Sequence, residues 1–433
     1  AWLPRQASGW SVLVLGGTGF RGRPTTERLL HDGHNVTVVS RGQFYWKGRE
    51  ELLPRVNHWR CNRTLTVNKK GAALEKSSGL AACNQFHDAG FFDAVVDFSS
   101  RNHQEVRQVA GLLSGRVGVY VFVSSHLVYR VSRAPDHDGP LLESDAVRPG
   151  REVSPLAREQ ARGIDARGDG DLDCETELMK QYNAGGFPFV VLRTANPIGP
   201  KENKIRYWLL HLWIRAHLAL TLPLHLDQSL LQTPFSLTYT PDVAQAVVLA
   251  ITKARNETCC PEHVEGEAFN LACELTPTQR DFYNLLAEPI GLPYVETMEV
   301  ESNKSVVLFP DHQRRVVSIQ KAQDVLRFAP TDLSKALRSV ARFYNRVMLD
   351  EKKYKGELKQ IYFKCEQMLG SDGPRFVEWT RAFYAEQRKT ELYDQVDDED
   401  EDDIVLSRPQ PRRRRRRRRR RGGGSATARG GEL

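Results

Sequence analysis

One stretch, Ser11 to Gly42, narrows what this chain can fold into more than any other. SVLVLGGTGFRGRPTTERLLHDGHNVTVVSRG reads as strand, glycine-rich turn, helix and second strand in one continuous unit. Ser11 to Leu15 is a short apolar run of buried-strand type, and Gly16, Gly19 and Gly22 follow it at GxxGxxG spacing. Each glycine meets a different steric demand. Gly16 allows a tight turn off the strand, Gly19 lets backbone amides approach a pyrophosphate, and Gly22 lets the helix pack closely on the sheet. The helix N-terminus then faces phosphate charge, Gly33 ends the helix, and Asn35 to Ser40 forms the second strand. The unit predicts a dinucleotide site. At the end of the second strand a free ribose 2′-hydroxyl is usually held by an acidic side chain, whereas a 2′-phosphate needs a cation. This chain has Ser40 and Arg41 there, which favours NADP, with NAD as the alternative.

The rest of the chain continues the alternation that a doubly wound parallel sheet requires. A third strand is hard to place in the polar insert Gln43 to Gly90; its best candidate is Val56 to Arg60, ending at Asn62. Phe91 to Phe98 and Val117 to Ser124 read as the fourth and fifth strands, with Val106, Val109, Ala110 and Leu113 at helical spacing between them. Arg130 to Asp171, rich in Pro, Gly, Asp and Arg, reads as a long surface loop, Leu172 to Tyr182 as a helix, and Phe187 to Arg193 as a sixth strand. Pro241 and Asp242 predict a helix over Val243 to Lys253 with an Asx-type cap. Leu333, Leu337, Val340, Ala341, Tyr344 and Met348 line one face of a further helix, and Leu358, Ile361, Tyr362, Cys365 and Leu369 one face of the next. The expected class is α/β: a Rossmann domain over residues 9–200, a smaller substrate-type subdomain with C-terminal helices over 201–390, in which 243–270 return to the Rossmann core, and a disordered tail over 391–433.

That tail is compositionally distinct. Asp397 to Asp403 is seven consecutive acids and Arg412 to Arg421 ten consecutive arginines, so neither block can bury a core. The formal charge is +8, of which the tail from Asp394 carries twelve arginines against nine acids. The modest excess left on the remainder does not itself imply a nucleic-acid partner, although the arginine run could supply one. The seven cysteines are scattered without CxxC or zinc-ligand spacing, which predicts reduced thiols, no metal, and a cytoplasmic location, with organelle and nucleus left open. The chain starts at Ala1, so a lost leader stays open too. Tyr207 to Leu226 has the length of a membrane span but carries Arg215, three histidines and Pro223; it reads as a buried or lid helix, with no membrane partner. Oligomeric state is not legible.

Several ordered pieces together resemble the extended and atypical short-chain dehydrogenase/reductase superfamily, the NAD-dependent epimerase/dehydratase group. These are GGTGFRG, Asp93 to Asp97, Tyr120 to Ser125 through Tyr129, Val191 to Pro200, and Gly266 to Asn270. Within that group the chain is most similar to the branch holding the chloroplast stem-loop RNA-binding proteins. The resemblance implies cofactor contacts from Gly16, Thr18, Gly19, Phe20 and Gly22, from Ser40, Arg41 and Asn62, from Phe98, Ser99 and Ser124, and from Asn196. It also implies a Ser, a Tyr and a Lys, the Lys lowering the Tyr pKa so that the phenol passes a proton while hydride moves at the nicotinamide. Ser125 matches the Ser. Counting back from Cys174 and Glu175 places Arg167 where the Tyr should be and Asp171 where the Lys should be; Tyr129 is a substitute acid to consider. The resemblance thus implies weak or altered catalysis on a small polar substrate such as a sugar nucleotide. The alternative is a dinucleotide-binding pseudoenzyme that serves as an RNA- or protein-binding module.

Ten adjacent cations release many counterions on binding a polyanion, so the Arg412 to Arg421 run should give RNA or DNA binding that weakens steeply with salt. Ending the chain after Val396 should remove that binding in a filter or gel-shift assay. Sequence-selective, salt-insensitive RNA binding that survives the truncation would locate the reader elsewhere in the chain.

Overall fold

The computed structural model of the chain describes residues 9–64, 78–149, 165–255, 264–301, 305, 308–309 and 315–391. The tail, and with it the expectation of disorder there, lies outside these residues, as do Cys259 and Cys260. Seven strands form one sheet: β1 (Ser11–Leu15), β2 (Asn35–Ser40), β3 (Asn57–Arg60), β4 (Phe92–Asp97), β5 (Val117–Ser125), β6 (Phe189–Thr194) and, after three short strands outside this sheet, β10 (Glu267–Leu271). Their order is β10-β6-β5-β4-β1-β2-β3, and every pairing is parallel. This is the doubly wound α/β sheet predicted from the alternation.

The two-residue period of the strands sorts their side chains to opposite faces. Val12, Val14, Val119, Val121, Val123, Val190 and Leu192 face a layer that includes Leu29 and the helix Thr240–Ala254. Leu13, Leu15, Val95, Tyr120, Phe122 and Val191 face Val106 and Val109 of helix His103–Leu112 and Cys174 and Leu178 of helix Ala166–Asn183. Both faces are therefore buried, which is why the strands read as continuous apolar runs rather than alternating ones.

A third, aromatic-rich core gathers helices Arg206–Leu220, Gln279–Ala287, Leu333–Leu349, Lys355–Leu369 and Gly373–Glu391. The faces predicted for residues 333–348 and 358–365 are the buried ones. Of the run read as one buried or lid helix, Tyr207 to Leu220 lies in the buried helix Arg206–Leu220, whereas Leu224 to Leu226 forms a short strand, and among the described residues no helix is long and apolar enough to cross a membrane. Short strands β7 (Asn196–Ile198), β8 (Leu224–Leu226), β9 (Leu237–Tyr239) and β11 (Thr297–Glu299) pair β7 with β9 and β8 with β11. Trp46, from the insert after β2, is 5% exposed and sits in this third core against Trp208, Tyr344 and Tyr354, with its Nε1 donating to the Glu202 carbonyl at 3.2 Å.

Three local expectations need correction. The helix expected over Leu172 to Tyr182 begins at Ala166, capped by the Asp165 carboxylate, which accepts from the amides of Arg167 and Gly168. Gly168 and Gly170, which read as loop residues, are packing glycines: a Cβ on either would lie 2.1 Å from the Leu127 carbonyl oxygen or 2.0 Å from that of Arg101. Asp242 is not an Asx cap. Its carboxylate accepts from the amide of Thr331 at 2.9 Å and from that residue's hydroxyl at 2.6 Å, tying the helix to the chain that leads into Leu333–Leu349. Not all cysteines are thiols either: Cys61 and Cys83 form a disulfide with Cα atoms 5.8 Å apart, a proximity that comes from the fold and not from sequence spacing, while Cys174, Cys273 and Cys365 are free and buried.

Asp242→Ala should lower stability by about 1–3 kcal/mol, because it strands the half-buried Thr331 donors. Urea denaturation of the two proteins measures this; a change within a few tenths of a kcal/mol would mean the tie is not holding the two segments together.

Candidate functional site

Because the sheet is parallel, the C-terminal ends of its strands share one edge. β1 lies between β2 and β4, and the chain leaves β1 and β4 in opposite directions, which opens a crevice at that point. Cross-links pin the rim: the Gly16 amide donates to the Val39 carbonyl, that of Cys61 to Ser40, and that of Phe98 to Leu15. The result is a cleft of about 920 Å³ running from the loop after β2 across the glycine loop to the ends of β5 and β6.

The glycine roles read from spacing have geometric counterparts. Gly16 has φ +80°, a left-handed turn that a side chain would strain, and a Cβ on Gly22 would lie 2.5 Å from the Gly16 carbonyl oxygen. A Cβ on Gly19 would meet only that same oxygen at 3.5 Å, an ordinary contact, so this position is open to the cleft and not closed by the protein. Gly16, Thr18, Gly19, Phe20 and Gly22 all line the cleft, together with Ser40, Arg41, Asn62, Phe98, Ser99 and Asn196. Arg41 is exposed at the rim, and the Asn62 side-chain oxygen accepts from the Thr64 amide.

Two expected residues point elsewhere. Ser124 is fully buried; its hydroxyl donates to Glu175 at 2.6 Å, and Glu175 is paired to Arg193 at 2.8 Å. Tyr129 does not line the cleft. Its hydroxyl donates to the Asn270 side-chain oxygen at 2.6 Å and accepts from Arg193, and burial pushes its pKa up to about 12, so it is not placed as an acid for a ligand in the cleft.

Ser125, Arg167 and Asp171 do come together. Asp171 is 0% exposed, and its Oδ2 accepts from the Ser125 hydroxyl at 2.6 Å and from Arg167 Nε at 2.9 Å. Burial raises the Asp171 carboxyl, and Arg167 and the Ser125 bond oppose it without cancelling it. Ser125 and Arg167 line the cleft while Asp171 lies behind them. With its proton on Asp171, Ser125 offers the cleft acceptor lone pairs in place of the donor that was expected.

Sequence reading missed the cations. Arg63, just past β3, donates to Asp97 at 2.8 and 3.0 Å and to the Ser99 hydroxyl at 2.7 Å. Burial works to raise the Asp97 carboxyl, but Arg63, Ser100 and Tyr120 outweigh it and hold it below the usual range. Arg206 is bound by Glu202 in the same way, at 2.5 Å. Arg21 was visible as a charge between two motif glycines; Arg63 had no signal beyond its charge. Glu105, at the start of helix His103–Leu112, is the half-buried far end of the Arg63 network; burial, with Asp97, lifts its pKa to about 7 despite Arg63.

A carboxyl whose pKa is raised on folding favours the native state while protonated and disfavours it once ionised. Stability attributable to Glu105 should therefore decline as pH rises from its ordinary value near 4.5 through about 7. Glu105→Gln should be close to neutral at the acid end of that window and stabilising above it, read from urea midpoints on either side of neutrality. A difference that does not change across the window would contradict the assignment.

Comparison with known proteins agrees with this architecture. Residues 12–157, which hold the glycine loop, β1 to β5 and Ser125, match the NAD-dependent epimerase/dehydratase family. The chain is 24% identical over 335 residues to the chloroplast stem-loop binding protein of 41 kDa b of Arabidopsis thaliana, covering 74% of this chain and 75% of that one. Among solved structures it resembles an epimerase from Methanothermobacter thermautotrophicus, with TM-score 0.56 and 17% identity over 81% of this chain and 95% of that one. A Thermus thermophilus UDP-glucose 4-epimerase in complex with NAD gives TM-score 0.52 and 18% identity over 77% and 98%. A UDP-N-acetylglucosamine 4-epimerase from Methanobrevibacter ruminantium gives 0.56 and 15% over 78% and 98%. The sequence match over residues 12–157, joined to a doubly wound sheet whose crevice is lined by that unit's glycines, makes this part of the chain similar to the NAD-dependent epimerase/dehydratase family.

Proposed function

We propose that the chain binds NADP(H) along the cleft and offers the Ser125 end to a polar substrate of sugar-nucleotide type, with acid–base chemistry weaker than or different from the Tyr–Lys pattern. The observation that carries this reading is that Arg41 stands on the rim of the same cleft that the Gly16 to Gly22 loop lines. A cation at the end of β2 suits a ribose 2′-phosphate and gives no acceptor to a 2′-hydroxyl. Among the described residues, the carboxylates lining the cleft are those of Glu105 and Glu202, which face Arg63 and Arg206. The glycine loop would take the pyrophosphate, Asn62 the adenine side, and Phe98, Ser99 and Asn196 the nicotinamide side. When bound, the dinucleotide supplies hydride transfer. The substrate class is suggested by the sugar-nucleotide epimerases among the structural neighbours.

Weak or altered catalysis is supported by what stands near Ser125. Arg167 and Asp171 occupy the positions of the expected Tyr and Lys, and the one tyrosine among the described residues that line the cleft is Tyr45, on the loop after β2. General acid–base assistance contributes about a hundred- to ten-thousandfold, so turnover without it would be slow. A second reading, a non-catalytic dinucleotide-binding protein that engages RNA, is favoured by the similarity to a chloroplast stem-loop binding protein and by the arginine run.

Fluorescence titration of the purified chain should show NADPH binding more tightly than NADH, by about ten- to a hundredfold for one charge-assisted phosphate contact. Arg41→Asp should reverse the order. Gly19→Val should abolish binding with the fold intact, since its Cβ meets an ordinary contact in the protein while the side chain fills the phosphate approach. Equal affinities in the parent chain would remove the NADP assignment.

A further inference from the structure

We propose that the Ser125 end of the cleft is a binding site for an oxyanion, the carboxylate or phosphate of an acidic metabolite, held between the guanidinium groups of Arg21 and Arg167. This deepens the reading of the cleft as a cofactor-and-substrate site and rests on it for the ligand being a metabolite. The site itself rests on geometry.

Arg21 ends the glycine loop, and Arg167 lies in the first turn of helix Ala166–Asn183; both line the cleft. Between them the described residues provide one carboxylate, that of Asp171, which is fully buried. Its Oδ2 is taken by Arg167 Nε and the Ser125 hydroxyl, so it neutralises one guanidinium and leaves the other. Arg21 donates to the Thr194 hydroxyl at 3.4 Å, a long bond to a neutral group. Burial, and then the like charge of Arg167, lower its pKa to about 10, with Asp171 a smaller opposing influence. Arg167 is bound through its Nε edge, and its buried Nη2 has no hydrogen-bond partner among the described residues.

The arrangement sets two guanidinium groups that line the cleft against one carboxylate, and leaves one guanidinium donor unmet. An uncompensated cation at the wall of a cleft and an unmet N–H are both unfavourable, and one oxyanion relieves both by accepting from Arg167 and balancing Arg21. A neutral hydroxyl could take the N–H but would leave the charge. Asp171 is a positioning residue: it fixes Arg167 through its Nε and holds the Ser125 proton away from the ligand. Guanidinium geometry suits carboxylate and phosphate alike, so the probes must separate them.

The test is calorimetric titration of the full chain, with and without saturating NADP⁺, using malonate, inorganic phosphate and uncharged malonamide as probes. At least one anion should bind, and Arg21→Gln and Arg167→Gln should each weaken it by about ten- to a hundredfold, the loss expected for one charge-assisted contact. Arg338→Gln, remote on helix Leu333–Leu349, should not. Asp171→Asn should tighten anion binding, since it removes the one competing carboxylate that the described residues place there; a merely structural role would weaken it. That sign decides the matter should either arginine variant lose its native circular dichroism. Absence of binding by both anions, indifference to Arg21→Gln and Arg167→Gln, or malonamide binding as well as malonate would overturn the site. Loss of the NADP⁺ response with anion binding intact would instead count against the cofactor reading alone.

Discussion

Parallel pairing is the constraint from which the site follows. Seven strands run one way, so their C-terminal ends, the loops that leave them and the amide ends of the following helices all collect on a single edge. Where β1 is flanked by β2 and β4 the loops part, and everything that a dinucleotide could touch is brought there from segments far apart in the chain: Gly16 to Gly22, Ser40 and Arg41, Asn62 and Arg63, Phe98 and Ser99, Ser125, Arg167 and Asn196. Both faces of the sheet are covered by apolar helices, so polar groups at that edge have little alternative to one another. Asp97 shows the result. It sits at the end of a buried strand with no exposure and is tolerated because Arg63, Ser100 and Tyr120 all turn toward it.

The same principle separates the two ends of the cleft. Arg63 and Arg206 each meet a carboxylate, so their charges are largely internal to the protein. At the Ser125 end the balance is broken, because Arg21 has joined a pair that was already closed between Arg167 and Asp171. A lysine at position 171 would have been a cation at the foot of the cleft with a phenol beside it. Here the cation has moved to the loop and the helix start, and a carboxylate lies beneath. The net local charge is similar, but its chemistry differs, since guanidinium groups keep their protons and can bind where a phenol would exchange one.

Much of the sheet was legible because its strands are short, apolar and bounded by glycine or polar turns, and β2 was read to its ends. The glycine loop was legible for the same reason that it works: each glycine answers a steric demand that no other residue meets. The start of helix Ala166–Asn183 was not, because Gly168 and Gly170 read as breakers until the carbonyls of Leu127 and Arg101 are seen pressed against them. Asp242 looked like a cap because local sequence cannot show Thr331. Ser124 and Tyr129 were assigned by position along a strand and the turn after it, and position does not say which side of a sheet a hydroxyl reaches. Arg63 could not be singled out because its importance lies wholly in what the fold places beside it.

Trp46 has a bearing on how this protein could change over evolutionary time. It belongs to the same short loop as Arg41, yet its ring is a keystone of the aromatic core formed by the C-terminal helices, and Arg23, on the helix after the glycine loop, holds its backbone carbonyl. A lineage that swapped this loop for one of different cofactor preference would also be pulling a wedge from between Trp208 and Tyr344. Drift in cofactor choice is thereby confined to single replacements at the rim, and wholesale exchange of the loop is closed off by its other occupation.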